Sequence, residues 1–438
     1  MKHLRLTLGL TLILLAFAAL NPASAQSDAP LALVMTADGP ITPPMLEYFK
    51  RGIETAEQRN AEVLIIELNT PGGGVETTLD IIQLMRASEV PVVVYVSPND
   101  AIAGSAGALI TMAGHVSAMA PKTAIGAASP IDESGNNIQS TLETKIKEIL
   151  KARARTLLED RSDEAIALAE AMIDDAKAVT AKEALDAGLI DYVVDNVDDL
   201  LESMDGTEVK LESGTRTLNT VNAREEELPI SFIEDFLLLL TNPNIAFLLL
   251  AVGVQAVLIE ISSPGGWVAG FIGAVCLTLA VYGMGVLPIN WFGLIFFIIA
   301  FALFVLDIKA PTHGALTTAG VASFIVGALV LFNSPGTPQF QRVSVPLVVG
   351  IGIFFGAISF TILMFALRAQ SRPVSAGVEA MIGKTGTVKT FSKGAGQVQV
   401  GSELWSAEQF DESDQIRKGD SIEVVEVKGL RLKVRKIK

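Results

Sequence analysis

Cysteine and histidine are both scarce in this sequence of 438 residues, which contains one cysteine and three histidines. The single Cys276 excludes an intrachain disulfide and a cysteine-built zinc site. His3, His115 and His313 leave almost nothing from which to build a histidine-based metal centre. We therefore expect the protein to work without a metal ion or another cofactor.

Charge is distributed very unevenly along the chain. Half of all residues are apolar, yet 33 basic and 48 acidic side chains give a formal charge of −15. Residues 26–228 carry 16 basic and 35 acidic side chains, residues 229–374 carry four of each, and residues 375–438 carry eleven and nine. The sequence therefore predicts an acidic domain, a membrane domain and a small near-neutral tail domain.

Residues 1–25 have the features of a cleavable secretory signal. Lys2 and Arg5 precede an apolar run from Leu6 to Leu20, and Ala23-Ser24-Ala25 closes the segment. A positive head, a short hydrophobic stretch and small residues at the cleavage point are typical of such signals. The acidic domain that follows is then exported.

Five apolar runs approach or reach the length of about 20 residues that crosses a bilayer. They are Ile245–Ile261, Val268–Leu287, Trp291–Leu306, Leu316–Phe332 and Val345–Leu367. The third run is the shortest. Because no run carries a cluster of ionisable groups, the sequence argues against a channel or a pump.

The polar flanks of these runs predict how the chain is placed in the membrane. An odd number of spans after an exported domain leaves the carboxyl end in the cytoplasm, where Arg368 and Arg372 satisfy the positive-inside rule. Just before the first span, Pro229–Leu240 places Glu234 and Asp235 inside a Leu/Phe-rich stretch. This mixture predicts an interfacial helix rather than a span.

The exported domain alternates buried strands with helices. Leu31–Met35, Val63–Leu68 and Val90–Val96 read as strands, and Pro44–Arg59 and Thr77–Ala87 have helical spacing. The alternation predicts a layered α/β fold. In such folds, functional residues gather where strands end and helices begin.

Two turns in this domain could carry chemistry. Ser105 lies among small residues at the entry to a predicted helix, Ala108–Ala113, whose N-terminus could stabilise an oxyanion. The same small residues could simply allow close packing. The three glycines at Gly72–Gly74 could present amides to an anion, or could merely bend the chain after a strand.

A nucleophilic serine needs a base, and histidine is excluded from that role here. His115 follows Ser105 by ten residues on the same predicted helix, about 15 Å away and beyond hydrogen-bond reach. A desolvated lysine can take the role instead. The candidates are Lys122, Lys145, Lys147 and Lys151. Spacing prefers Lys145 only slightly, because it opens a helix whereas Lys147 and Lys151 resemble a solvated helical face.

Several motifs resemble the NfeD family, in its long form with protease, membrane and tail parts. The motifs are Thr70-Pro71-Gly72-Gly73-Gly74, Gly104-Ser105-Ala106-Gly107, Met119-Ala120-Pro121, Gly188-Leu189-Ile190-Asp191 and Asn290-Trp291-Phe292-Gly293. Such proteins are membrane-bound serine proteases of the ClpP class with a Clp/crotonase-type fold. The resemblance covers nearly the whole mature chain.

The resemblance implies a Ser-Lys dyad in which Ser105 is the nucleophile and Lys145 the general base. Lys145-Ile146 matches the opening of the family's lysine helix, and Ala152 and Arg155 follow at the expected offsets of seven and ten. Glu148 replaces the usual asparagine. Lys145 is therefore preferred over its neighbours on the strength of the resemblance.

The resemblance also implies an oxyanion hole made of backbone amides. By analogy with ClpP-class enzymes, Gly73 and Ala106 would supply them, with Gly72 as the alternative if the turn is shifted. Gly104 stands where alanine is commoner in the family.

The predicted fold is multidomain, with an α/β ClpP/crotonase-like protease domain, an α-helical membrane domain of about five spans and a small all-β OB-like barrel. The expected divisions are 1–25 (signal peptide), 26–204 (protease), 205–242 (acidic linker and interfacial helix), 243–370 (transmembrane) and 375–438 (OB-like). The barrel is predicted from short alternating runs in the tail, which are Thr385–Thr390, Gln397–Val400, Ser421–Val427 and Leu430–Val434.

The function implied is a membrane-anchored serine endopeptidase that cleaves apolar segments of membrane-associated, stomatin- or prohibitin-like proteins. The alternative is a catalytically silent scaffold that organises membrane microdomains with stomatin-like partners. The predicted partners are such a membrane protein, the lipid bilayer and further copies of the chain, whereas sparse aromatics in the basic tail argue against nucleic acid. The predicted location is the inner membrane, with the protease domain outside the cytoplasm and the barrel inside.

Overall fold

The computed structural model describes residues 29–130, 140–262, 265–309, 312, 314–334, 337–370, 381–411, 413 and 415–437. The predicted signal peptide lies outside these residues. The chain divides into two compact units, one running to Ile299 and including Ala322–Gly352, the other made of Ala300–Val321 and the residues from Ile353 onward.

The first unit begins with the predicted α/β domain, and its elements alternate as the sequence indicated. Its strands are β1 (Leu31–Asp38), β2 (Val63–Asn69), β3 (Val92–Val96), β4 (Ile102–Gly104), β5 (Val116–Met119), β6 (Ala124–Gly126), β7 (Ala178–Thr180), β8 (Tyr192–Val193), β9 (Glu208–Leu211), β10 (Gly214–Thr217) and β11 (Arg224–Glu227). Its helices before the membrane part are α1 (Pro43–Gln58), α2 (Val75–Ala87), α3 (Ala106–Ala113), α4 (Ser140–Leu157), α5 (Asp163–Asp174), α6 (Ala181–Asp186), α7 (Val197–Ser203) and α8 (Phe232–Leu240). These elements confirm the predicted α/β class.

A six-stranded parallel sheet forms the centre of this domain, in the order β11-β1-β2-β3-β5-β8. Successive side chains of a strand point to opposite faces. In β1, for example, Leu33 and Met35 join the larger apolar core, while Ala32 and Val34 join a second core on the other face. Burial on both faces explains why the strands read as continuous apolar runs.

Two features of the domain were not predicted. Three short strands form a second sheet in the order β4-β6-β7. Its strand β4 is followed directly by Ser105 and then by α3. Part of the segment predicted to be an acidic linker is also structured, since β9 and β10 form a hairpin and β11 pairs in parallel with β1. The charged residues of β11 are compatible with a strand because it lies at the edge of the sheet.

Long apolar helices follow α8. They are α9 (Pro243–Ser262), α10 (Val268–Val286), α11 (Phe292–Lys309), α12 (Ala315–Phe332) and α13 (Val345–Gln370). Among the described residues, four segments are long and apolar enough to cross a membrane: 243–261, 268–286, 315–332 and 339–361. The predicted third span is helical, but its apolar stretch Phe292–Asp307 is shorter than the others. A count of five spans therefore remains a prediction.

The second unit contains the predicted closed barrel. Its strands are β12 (Thr385–Ser392), β13 (Ala395–Val400), β14 (Glu403–Gln409), β15 (Ser421–Lys428) and β16 (Arg431–Lys436), in the order β12-β13-β14-β16-β15. Alternate residues such as Val398, Ile422 and Leu432 fill its interior. Three basic residues of β16, Arg431, Lys433 and Arg435, are paired with glutamates of the neighbouring strands. The positive charge of these three side chains is therefore largely neutralised by ion pairs within the barrel.

Candidate active site

Ser105 occupies a strained corner between β4 and α3. Its backbone angles, φ 51° and ψ −109°, lie in a region that residues other than glycine rarely adopt, at a cost of about 1–3 kcal/mol. The Ser105 amide donates to the carbonyl of Gly126 at 2.7 Å, and the next helix begins at Ala106. The corner holds the half-buried serine at the N-terminus of α3, where the helix dipole favours negative charge.

The glycine turn after β2 lies directly against this corner. A Cβ on Gly72, where φ is +123°, would be 2.7 Å from the Ser105 Cβ and 3.3 Å from its Oγ. The amide of Gly104 donates to the carbonyl of Thr70 at 2.9 Å, which joins the two segments. Glycine at position 72 is therefore required by the close approach of the turn to the serine.

Hydrogen bonding distinguishes the Gly73 amide from the Gly72 amide as a candidate oxyanion donor. The amide of Gly72 already donates to the Thr70 hydroxyl oxygen at 3.1 Å. Within the ranges that the structure describes, the amides of Gly73 and Ala106 donate to no partner, and Ala106 is the first residue of a helix. Gly73 and Ala106 therefore have the free donors, whereas Gly72 does not.

A small apolar cleft surrounds these groups. It is lined by Gly73, Val75, Thr78, Ser105, Ala106, Leu109, Ala128, Pro130 and Leu150. Apart from two hydroxyls and the backbone amides, this lining offers only apolar surface. The cleft could accept an apolar side chain beside the serine.

Some of the small residues near Ser105 are explained by packing alone. A Cβ on Gly107 would lie 2.6 Å from the Thr70 side chain, and one on Gly104 would lie 3.0 Å from the Pro71 oxygen. Close packing and a functional corner therefore coexist in this motif. Packing accounts for the two glycines but not for the strained backbone of Ser105.

No hydrogen bond joins Lys145 to Ser105 in the part of the chain that the structure describes. Lys145 lies on α4 with an exposed side chain and forms no hydrogen bond or ion pair with the described residues. On the same helix, Ile146 and Leu150 pack toward the core, and Leu150 lines the cleft. The helix is thus placed beside the site, but its predicted base faces solvent.

The other two lysines of α4 are engaged elsewhere. Lys147 lies 2.9 Å from a Glu143 carboxylate oxygen and donates to the carbonyl of Asp174 at 3.0 Å. Lys151 pairs with Glu148 and Asp174, and these hydrogen bonds raise its pKa. A lysine held protonated in this way is a poor base.

His115 takes no part in the site. It follows α3 at the end opposite to Ser105, and its Nδ1 accepts the amide of Val92 at 3.1 Å. Burial, with a smaller effect of Arg86, lowers the pKa of His115 to about 4. The residue is a neutral structural histidine, as its position in the sequence indicated.

Sequence reasoning gave no role to Thr70 or Gly126, although Thr70 lay in a quoted motif. The buried Thr70 hydroxyl holds the Gly72 amide, and the Gly126 carbonyl holds the Ser105 amide. A threonine directly after a buried strand is a recognisable signal for such a side-chain cap. Gly126 had no comparable signal. No group of three histidine, cysteine or acidic residues suited to a metal ion occurs in the part of the chain that the structure describes.

Comparison with known families matches three successive segments of the chain. Residues 34–213 match the NfeD1b N-terminal domain, residues 244–365 the NfeD integral membrane domain, and residues 378–436 the NfeD-like C-terminal, partner-binding domain.

Two relatives resemble the chain over nearly its full length. The membrane-bound protease PH1510 of Pyrococcus horikoshii is 34% identical over 433 residues, which cover 97% of this chain and 96% of that protein. The membrane protein NfeD1b of Bacillus subtilis is 27% identical over 98% of both chains. Among solved structures, a mutant of the 1510-N membrane-bound stomatin-specific protease in complex with a substrate peptide is 33% identical, with a TM-score of 0.44 over 48% of this chain and 96% of that chain.

Proposed function

The chain belongs to the NfeD family, in its long form, and from this premise we propose that it is a membrane-anchored serine endopeptidase of the ClpP class. Ser105 is the nucleophile and Lys145 the general base. Gly73 and Ala106 form the oxyanion hole. The observation that carries the proposal is the strained Ser105 corner, which lines one apolar cleft together with Gly73 and Ala106, whose amides donate to no described partner.

The first half of the reaction forms an acyl-enzyme. The Ser105 oxygen attacks the scissile carbonyl while its proton passes to the amine of Lys145. The negative oxygen of the tetrahedral intermediate accepts hydrogen bonds from Gly73 and Ala106. The lysine proton then goes to the leaving amine as the peptide C–N bond breaks.

The second half restores the enzyme. Water attacks the acyl ester and gives a proton to Lys145, and the second tetrahedral intermediate collapses to release the acid product. The Ser105 oxygen takes the proton back from the lysine. Atoms and charge balance without a cofactor.

The cleft supports apolar residues at the cleavage point. Its lining offers Leu109, Leu150 and Val75 beside the serine, which favours apolar segments such as those of membrane-associated proteins. PH1510 structures are named as those of a stomatin-specific protease. We extend this to a stomatin- or prohibitin-like membrane protein as substrate or partner here.

The proposed location follows from the order of segments in the chain. The apolar helices support a membrane protein. We place the acidic protease domain outside the cytoplasm and the barrel inside, because the five predicted spans separate them and Arg368 and Arg372 follow the last. We also propose that several copies of the chain associate into a homo-oligomer in the membrane.

One observation favours the second candidate function, a silent scaffold organising membrane microdomains with stomatin-like partners. Lys145 is exposed in this structure, and a serine without a base is a poor nucleophile. In that case the domain would bind an apolar segment in the cleft and release it intact.

Cleavage of an apolar fluorogenic peptide by the full-length protein in lipid vesicles tests the proposal. We expect Ser105→Ala to lower the rate by at least about a thousandfold. The matched control is Ser203→Ala, since this serine is exposed on α7 and its hydroxyl donates to the Asp199 carbonyl of the same helix. Equal rates for the wild type and Ser105→Ala would reject the protease and leave the scaffold.

A further inference from the structure

Helix α8 exposes four large apolar side chains and buries Glu234, although Asp235 stays exposed and Leu240 is buried. Phe232 is 84% exposed and Ile233 68% exposed, and Phe236 and Leu239 extend the same apolar surface. Glu234 is only 8% exposed. A surface helix in water buries its apolar stripe, so the outer face of α8 is suited to a non-aqueous environment.

The chain itself indicates what this apolar face meets. Only Thr241 and Asn242 separate α8 from α9, whose segment 243–261 is long and apolar enough to cross a bilayer. The end of α8 packs directly on α10, since a Cβ on Gly283 would lie 2.3 Å from the Leu240 oxygen. A helix joined so closely to membrane helices lies at the surface of the bilayer.

The polar face of α8 is fastened to helix α1 of the α/β domain. Arg51 donates to both carboxylate oxygens of Glu234 at 2.7 Å and to the carbonyl of Pro229 at 2.9 Å. The Tyr48 hydroxyl donates to the carbonyl of Leu228 at 2.6 Å. A bidentate arginine–carboxylate pair fixes direction as well as distance.

The segment that leads into helix α1 bonds to the glycine turn. Ile41, two residues before α1, donates its amide to the carbonyl of Gly72 at 2.9 Å and accepts the amide of Gly74 at 3.2 Å. Ile41, just before α1, therefore contacts the turn beside Ser105, and the side of α1 contacts α8.

We propose that α8 lies in the membrane surface with its apolar face in lipid, and that the Arg51–Glu234 pair fixes the cleft of the α/β domain in one orientation to the bilayer. Arg51 and Glu234 are positioning residues. Their effect on cleavage rests on the proposed function, whereas the contact with lipid does not.

Lipid contact is measured with a fluorescent probe on a single cysteine. In the full-length Cys276→Ser protein, Phe236→Cys carries an environment-sensitive fluorophore, and the vesicles contain phosphatidylcholine with a quencher near the headgroup. We expect at least about threefold stronger quenching than for Val221→Cys, an exposed position elsewhere on the domain. Equal quenching at both positions would overturn the proposal and show that water, a partner or a second copy meets this face.

The effect of the Arg51–Glu234 pair on cleavage is measured with one peptide sequence presented in two ways, either dissolved in water or anchored in the vesicle membrane. For Arg51→Gln we expect the rate on the anchored peptide to fall about tenfold and that on the dissolved peptide to stay within about twofold. Arg51→Lys should restore part of the anchored rate. An equal loss on both peptides would show a merely structural role. If the wild type cleaves neither peptide, the proposed function fails, while the quenching measurement still decides where α8 lies.

A second, independent observation concerns the apolar helices. Glu260, near the end of α9, accepts the amides of Trp267 and Gly270 at the start of α10, at 3.2 and 3.3 Å. Asp307, near the end of α11, accepts the amides of Gly314 and Thr317 at the start of α12. In both turns the donors follow the acid by seven and ten residues, so one carboxylate caps the next helix in the same way.

The packing between the helices repeats as well. A Cβ on Gly273 of α10 would lie 3.0 Å from the Gly253 oxygen of α9, and one on Gly320 of α12 would lie 3.1 Å from the Ala300 oxygen of α11. Every residue named in the two turns and in this packing lies 47 positions from its counterpart. The prolines at 264 and 311 have the same spacing.

We infer that α9–α10 and α11–α12 are two copies of one helical hairpin. Since α9 is long enough to span the bilayer, its counterpart α11 spans it too, although its apolar stretch is shorter. The turn after α11 then faces the same side of the membrane as the turn after α9.

Cysteine labelling from each side of sealed vesicles tests the repeat in the Cys276→Ser background. Ser262→Cys and Lys309→Cys occupy equivalent positions, and we expect an impermeant reagent to reach both from one side. Ile289→Cys, between α10 and α11, should react from the other side. Labelling of Lys309→Cys and Ile289→Cys from the same side would overturn the inference.

Discussion

The serine side and the lysine side of the candidate site are built in different ways. Ser105 is held by the Gly126 carbonyl and by close contact with Gly72. Lys145 is exposed and makes no hydrogen bond with the described residues. The nucleophile is therefore set by backbone turns that are bonded to one another, whereas the base depends on one side chain in the second turn of a helix that begins at Ser140.

The largest expected effect tests the lysine side. If Lys145 is the base, Lys145→Ala should lower peptide cleavage by about 10²- to 10⁴-fold, because a positioned base contributes that much. Lys147→Ala is the matched control on the same helix and should change the rate less than about threefold, since Lys147 is tied to Glu143 and Asp174. The measurement is kcat on a saturating apolar peptide. The reverse result, a large loss only for Lys147→Ala, would move the base to that residue.

The next effect tests the serine side through two adjacent glycines. A Cβ on Gly73 would lie 2.0 Å from the Ile41 oxygen, whereas one on Gly74 meets only the Thr77 side chain at 3.5 Å. Gly73→Ala should therefore displace an oxyanion donor and lower kcat by about 10²- to 10³-fold. Gly74→Ala should stay within about threefold of the wild type. Similar losses for both variants would show that the turn matters only for folding.

A smaller effect tests how α4 is seated beside the serine. Leu150 is 2% exposed and lines the cleft, while its neighbour Ile149 is 61% exposed. Leu150→Ala should destabilise the domain by about 2–5 kcal/mol through the cavity it leaves. Ile149→Ala should stay within about 0.5 kcal/mol. Hydrogen exchange of the α4 amides in the full-length protein measures both, and equal protection in the two variants would show that α4 is not anchored through Leu150.

Much of the fold follows from local patterns in the sequence, and the exceptions have physical reasons. β1 and β2 are apolar runs buried on both faces, and the structure places them within a few residues of the prediction. β4 and β6 have only three residues each, too few for a periodic signal. β11 reads as a charged linker because its pairing with β1 joins distant parts of the chain.

The candidate site likewise has one part that local sequence patterns predict and another that depends on contacts between distant parts of the chain. The Ser105 corner could be predicted because its determinants, small residues and a helix start, are adjacent in sequence. The position of the lysine amine depends on how α4 packs on the domain, which no short motif encodes. The resemblance named Gly73 and Ala106 as oxyanion donors, but whether an amide is free depends on the hydrogen bonds of its neighbours, which the sequence does not specify.

The smallest effect concerns acid and the far end of the serine helix. His115 has a pKa of about 4 in the fold, because burial disfavours the charged ring, against about 6.5 in an unfolded chain. The unfolded state therefore binds a proton that the folded state does not between these values. Stability from this residue is complete above about pH 6.5 and is lost as the pH falls toward 4.

Between pH 7 and pH 5 the loss from His115 should reach at most about 2 kcal/mol. His115→Asn keeps an acceptor for the Val92 amide but cannot titrate, so the difference in unfolding free energy between the two proteins isolates this residue from the acidic side chains. Urea unfolding of the full-length protein, followed by hydrogen exchange of the β3 amides, measures it. If the difference does not change with pH, protonation of His115 is not resisted by the fold.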